Sequence, residues 1–127
     1  MIIKNGLVWE ESGSFRKKEL VVDTTTHRIA ETAEDDTVFD AEGLYVIPGL
    51  VDIHNHGNSG ADFSDGDYDG LVKMARYLAQ NGVTGFAPAS MTLPYDVLET
   101  AYKTAVRLKN EQPSGCAHIM GIQMEGP

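Results

Sequence analysis

The sequence has a single cysteine, Cys116, among 127 residues. No intrachain disulfide can form, which excludes the disulfide-stapled scaffolds of small secreted proteins and fits a reducing compartment, expected to be the cytoplasm. Cys116 follows Pro113-Ser114-Gly115 and reads as a small semi-buried residue at a loop-to-strand junction, not as a reactive thiol. Basic residues are also scarce, with 10 Lys and Arg against 19 Asp and Glu and a formal net charge of -9. Without a basic stripe to neutralise phosphates, nucleic acid and anionic membrane surfaces are not expected partners. Long apolar runs are missing too: nothing approaches the ~20 residues of a membrane-spanning helix, and no charged-then-apolar leader opens the chain. Hydrophobic residues nevertheless make up 42%, enough for a packed core.

The pattern changes near Pro48-Gly49. Residues 1–47 read as short strands: Met1 to Trp9, Phe15 to Val22, Ile29 to Thr32, Thr37 to Asp40, then Leu44 to Ile47. Turn clusters separate them, including Asp23-Thr24-Thr25-Thr26-His27-Arg28 and Ala41-Glu42-Gly43. The expectation is an antiparallel β module too small to hold a large core alone. Residues 48–127 read as strand, helix, strand, helix, strand. Leu50 to His54 is almost continuously apolar, as in a strand covered on both faces. Leu71, Val72, Ala75, Leu78 and Ala79 recur at helical spacing over Tyr68 to Gln80, stopped by Asn81-Gly82. Val83 to Pro88 is the second strand. A second helix starts at Thr92-Leu93-Pro94 with proline in its first turn and ends at Gln112-Pro113-Ser114-Gly115, and Ala117 to Met124 is the third strand. This βαβαβ order predicts a parallel sheet with crossover helices and an α/β fold class. Three strands and two helices do not close a (β/α)8 barrel, which needs about 250 residues, so the expectation is the opening portion of a longer enzyme.

Chemistry concentrates at two strand ends. His54 and His56 stand one residue apart after the first apolar strand, and side chains at i and i+2 point to the same side, so the pair can grip one cation while Asn55 faces away. Glu125 closes the third strand, followed by Gly126-Pro127, which constrains the turn there. Strands 1 and 3 are close in a barrel and open on one rim. Two imidazoles and a carboxylate there make a metal site of the hydrolytic kind, with His54, His56 and Glu125 as candidate ligands. The acids Asp62, Asp65, Asp67 and Asp69 lack the spacing of a calcium loop and read as helix caps, Asp65 or Asp67 foremost, or as solvated groups. Asn58-Ser59-Gly60 lacks the register of a phosphate loop. His27 reads as an exposed turn residue, His118 as a strand-entry residue, and Trp9 and the tyrosines as packing groups.

Taken together, Pro48-Gly49-Leu50-Val51-Asp52-Ile53-His54-Asn55-His56-Gly57 with the β module before it resembles the amidohydrolase superfamily. Gly60 to Asp65, Asn81 to Thr92 and Gly121 to Pro127 narrow the resemblance to the N-acetylglucosamine-6-phosphate deacetylases. It implies a composite β-sandwich beside a (β/α)8 TIM barrel. It also implies one or two divalent metal ions, zinc or iron, and a small-molecule phosphosugar substrate that loses its acetyl group. By position, Glu125 matches the family's metal-binding glutamate, and His54 and His56 match the pair that holds a second metal in some members. The later histidine ligands, the catalytic aspartate and the phosphate-binding residues would lie beyond Pro127, so this span alone is expected to be inactive. Gln123 stands where members often carry histidine, and Thr24-Thr25-Thr26 lacks a glycine common there. Two other readings remain open. One is a different amidohydrolase (a dihydroorotase, cyclic-amide hydrolase or N-acyl deacylase), which commonly uses a carboxylated lysine in place of Glu125. The other is a non-catalytic scaffold, although such relatives tend to lose the histidine pair. Uncovered strand flanks lead us to expect a homo-oligomer.

Overall fold

The computed structural model describes residues 1–32, 35 and 37–126. The chain divides into two compact units, Met1–Pro48 and Gly49–Pro127.

Among its described residues the first unit holds seven short strands: β1 (Ile2–Lys4), β2 (Leu7–Glu10), β3 (Ser14–Lys17), β4 (Leu20–Asp23), β5 (Arg28–Ala30), β6 (Val38–Asp40) and β7 (Tyr45–Val46). They form two sheets, ordered β5-β4-β1-β6 and β3-β2-β7. The two long strands expected at Met1 to Trp9 and Phe15 to Val22 are each broken, and their halves join different sheets. The first break falls at Asn5, which adopts the left-handed conformation at φ 64° while its amide donates to Asp40 Oδ1 at 2.9 Å. The module is also not purely antiparallel: β1 runs parallel to β6, and β2 parallel to β7. Both parallel pairs link residues far apart in the chain, so no local pattern announces them. Among its described residues Val8 and Ala41 are the buried hydrophobic ones, with Trp9, Phe15 and Tyr45 in edge-to-face contact at 4.8–5.1 Å.

Carboxylates hold the turns of this unit. Asp23 accepts from the Thr25 and Thr26 amides and the Thr26 hydroxyl, and the hydroxyl contact leads in holding its carboxyl below the ordinary range. Asp35 is held low by the Thr24 hydroxyl and then by the N-terminal ammonium, and Asp40 by the Asn5 amide. For acids depressed in the folded state, the associated stability is complete above the unfolded value near pH 4. It is lost as pH falls through the lower folded values. Acidification is therefore expected to leave Trp9 fluorescence unchanged down to about pH 4 and to shift it below that. A flat signal from pH 7 to 2 would contradict this.

The second unit contains β8 (Leu50–Asn55), β9 (Gly57–Asn58), β10 (Ala61–Asp62), a short 3-10 turn (Phe63–Asp65), α1 (Tyr68–Gln80), β11 (Val83–Ser90), α2 (Tyr95–Glu111), β12 (His118–Ile119) and β13 (Gln123–Met124). β11 pairs in parallel with β8 on one side and with β12 and β13 on the other. The helix α1 has the bounds its periodicity predicts. Asp67 caps it, accepting from the Gly70 amide at 2.9 Å, and Gly82 takes φ 81° just beyond its end. Asp62 and Asp65 form a reciprocal capping box on the 3-10 turn, so three of the loop acids are caps. Pro94 is the residue before α2, not part of its first turn, because its ψ of 148° is extended. Leu71, Met74, Ala75 and Leu78 of α1 meet Ala101, Ala105 and Leu108 of α2 around Phe63, Phe86 and Ile119. These i, i+3, i+4, i+7 positions form one apolar stripe per helix. Arg107 lies 3.7 Å over the Tyr68 ring and pairs with Glu111, to which the Tyr68 hydroxyl also donates.

Two features of this sheet follow from its strand edges. β8 is not covered on both faces: Leu50, Val51 and Ile53 are 52%, 56% and 75% exposed, the uncovered strand flank that an opening portion of a barrel was expected to leave. Among the described residues β8 is the edge of its sheet, bonded only to β11. The third strand is not continuous either, since Met120 to Ile122 separates β12 from β13.

Candidate metal centre

The histidine pair takes its aim from β8 and from the end of β11. His54 is the fifth residue of β8 and His56 lies just past it. The His56 Nδ1 is 3.0 Å from the carbonyl oxygen of Ala89, near the end of β11. A carbonyl can only accept, so the ring proton of neutral His56 sits on Nδ1 and its Nε2 presents a lone pair. This arrangement, one ring nitrogen tied to a carbonyl and the other facing a ligand, is the usual support for a metal-bound histidine.

Glu125 arrives from β13. The pairs Ala89–Gln123 and Ser90–Met124 carry the chain alongside the end of β11, so the next residue reaches the same rim as the histidines. The Thr92 hydroxyl donates to the Glu125 carbonyl at 3.2 Å. Gly126 follows at φ 65°, where a Cβ would lie 2.2 Å from Thr92 Oγ1, so both conformation and space call for glycine. Pro127, the other half of the turn expected there, lies outside the described residues.

Three donor atoms converge. His54 Nε2 is 3.0 Å from His56 Nε2, His56 Nε2 is 3.0 Å from Glu125 Oε2, and His54 Nε2 is 3.4 Å from the same oxygen. With bonds of about 2.1 Å, neighbouring ligands of one cation stand about 3.0 Å apart in an octahedron and about 3.4 Å apart in a tetrahedron. The observed triangle falls in that band. A ring lone pair facing a carboxylate oxygen at this distance is repulsive unless a proton or a cation lies among the three, so the donor set fits a divalent ion. All three side chains keep solvent access, at 48%, 32% and 54% exposure, leaving room for water and a substrate group.

The remaining candidates do not join this group. His27 is an exposed turn residue at φ 56°, and His118 is exposed on β12. Cys116 is buried, with Sγ 3.9 Å from the Val72 carbonyl. The sequence reading gave no role to Ala89, a backbone partner that no sequence pattern marks. It also gave none to Asp52, whose signal was an acid inside an otherwise apolar strand. An apolar cleft of about 570 Å³ along Tyr95, Leu98, Tyr102, Val106 and Met124 contains none of the candidate ligands.

No protein-family model matches the chain. Among curated proteins it is 38% identical over 82 residues to the N-acetylglucosamine-6-phosphate deacetylase of Vibrio furnissii, covering 65% of this chain and 20% of that protein. It is 30% identical over 128 residues to the deacetylase of the same name from Bacillus subtilis, covering 99% of this chain and 31% of that one. The chain thus spans less than a third of the length of these relatives. Among solved structures it resembles the N-acetylglucosamine-6-phosphate deacetylase of Pasteurella multocida, with a TM-score of 0.82 at 23% identity, over 99% of this chain and 34% of that one. That likeness concerns the fold: a mixed α/β chain with these sheets and two helices.

Proposed function

We propose that the chain belongs with the N-acetylglucosamine-6-phosphate deacetylases and contributes the His54, His56 and Glu125 ligands of a metal-dependent deacetylase. The substrate we assign is N-acetylglucosamine 6-phosphate, and the products are glucosamine 6-phosphate and acetate. The observation that carries this reading is the triangle of donor atoms, 3.0, 3.0 and 3.4 Å on its sides, at the rim reached by β8, β11 and β13. Active sites of parallel α/β folds are built at the carboxyl ends of strands. The parallel pairing of β8, β11 and β12–β13, with α1 and α2 as crossovers, supports residues 48–127 as the opening of a (β/α)8 barrel. The two sheets of residues 1–47 support part of a β-sandwich.

In this reading His56 Nε2 offers its lone pair because Ala89 holds the proton at Nδ1. His54 Nε2 and Glu125 Oε2 complete the face, and the carboxylate contributes negative charge that favours a divalent ion over a neutral occupant. A zinc or iron ion, one or two in number, would supply Lewis acidity that acidifies a water and polarises an amide carbonyl. We place the protein in the cytoplasm, where a single free cysteine stays reduced. The exposed Leu50, Val51 and Ile53 favour association with other copies.

A chimera in which residues 1–127 replace the aligned stretch of the Bacillus subtilis deacetylase tests the reading. It is expected to release acetate from N-acetylglucosamine 6-phosphate. Glu125→Gln in that chimera is expected to lower bound metal and to slow hydrolysis by about 100-fold or more. Unchanged metal content and rate would remove Glu125 from the site. A folded, metal-loaded chimera without deacetylation would remove the substrate assignment.

A further inference from the structure

The two imidazoles are held in different ways. His56 has its ring tied to the Ala89 carbonyl, whereas His54 Nδ1 has no hydrogen-bond partner among the described residues. The aim of His54 therefore depends on its backbone, and that backbone is irregular. Asp52 stands opposite Phe86 and Asn55 opposite Pro88, so β8 advances three residues while β11 advances two. One extra residue of β8 is inserted between Asp52 and Asn55, the mark of a bulge. Pro88 explains its place: it has no N–H to give the ladder, and proline inside a sheet is confined to such breaks. A bulge leaves a residue without its ladder partner and turns its side chain to a new direction.

The Asp52 carboxylate spans this break. Its Oδ1 accepts from the His54 backbone N–H at 3.1 Å, and its Oδ2 accepts from the Asn55 side-chain amide at 2.8 Å. Asn58 continues the chain, its Nδ2 lying 3.5 Å from Asn55 Oδ1. An ionised carboxylate is acceptor-only, and both of its partners here are N–H donors, so both bonds are charge-assisted. A single side chain thereby braces two consecutive residues of the bulge, one of which carries the less-supported imidazole.

We propose that Asp52 is a positioning residue that aims His54 into the donor triangle by bracing the β8 bulge, with Asn55 as its second anchor. The proposal rests on the metal reading above and deepens it. Asp52 touches neither the cation position nor the other ligands in this role; it acts through the His54 main chain.

Cobalt(II) titration of the 127-residue chain, followed by visible absorption, tests it. Asp52→Ala is expected to weaken Co²⁺ binding about 10- to 100-fold, the range for loss of a group that orients a metal ligand, and to change the d–d band shape. In a His54→Ala background the same substitution is expected to cost less than about 2-fold, because no imidazole remains to be aimed. Asp52→Asn keeps an oxygen for the His54 N–H but gives up the acceptor of the Asn55 amide, and is expected to weaken Co²⁺ binding about 3- to 10-fold, less than Asp52→Ala. Wild-type affinity and spectrum in Asp52→Ala, or an equal loss in the His54→Ala background, would overturn the proposal. If Asp52→Ala loses its helical circular dichroism, Asn55→Ala decides. That variant removes the second anchor alone and is expected to weaken Co²⁺ binding about 3- to 10-fold, and an unchanged affinity would overturn the proposal. His56→Ala separates the two levels: if it binds Co²⁺ as the unaltered chain does, the metal reading itself falls, whatever Asp52 does.

Discussion

His56→Ala is expected to reduce divalent-metal affinity by more than about 100-fold, beyond the range produced by losing a merely supporting hydrogen bond. Two terms add. One donor of the triangle disappears, leaving His54 Nε2 and Glu125 Oε2 at 3.4 Å with no third atom to close the face. The link to the Ala89 carbonyl disappears as well, so the end of β11 no longer orients an imidazole in the site, although its pairing with β13 still places Glu125. The fold should survive, because His56 is not part of the apolar cluster. Isothermal titration with Zn²⁺, alongside circular dichroism, measures both. A variant that binds Zn²⁺ as tightly as the unaltered chain would show that the three donors do not act on a shared ion.

Phe86→Ala has the largest expected effect on stability. Phe86 is fully buried on β11, in the cluster formed by α1, α2 and β12. Truncating a buried Phe costs about 3–5 kcal/mol, from lost burial and from the cavity left behind. Whole domains have only about 5–15 kcal/mol of stability, and this unit leaves much of β8 uncovered. The variant is therefore expected to lose a large share of its stability, about 3–5 kcal/mol, and to unfold at a clearly lower urea concentration. Urea titration followed by far-UV circular dichroism checks this, since both helices depend on the cluster. A midpoint equal to that of the unaltered chain would mean that Phe86 does not anchor the core.

What could be read in advance was what neighbouring residues decide among themselves. The helix α1 is set by a 3.6-residue apolar period, the Asp67 cap and the Asn81-Gly82 stop, all within one stretch of chain. The capping role of the loop acids has the same local origin. The shared side of His54 and His56 was anticipated from alternation alone, although the bulge shows that simple alternation does not run unbroken through β8.

The sequence by itself determined the residue types at each strand end, both helices and the change of character near Pro48. Only the tertiary structure decided how the broken strands of the first unit were shared between two sheets, where the third strand of the second unit was interrupted, and which partners the histidines obtained. Those features depend on register between segments more than thirty residues apart, such as Ala89 beside His56 or Val38 beside Ile2. Register is settled by the sum of many weak pairings, which leaves no local trace; Pro88 marks in the sequence that a ladder donor is missing, but not which residue of β8 it will face.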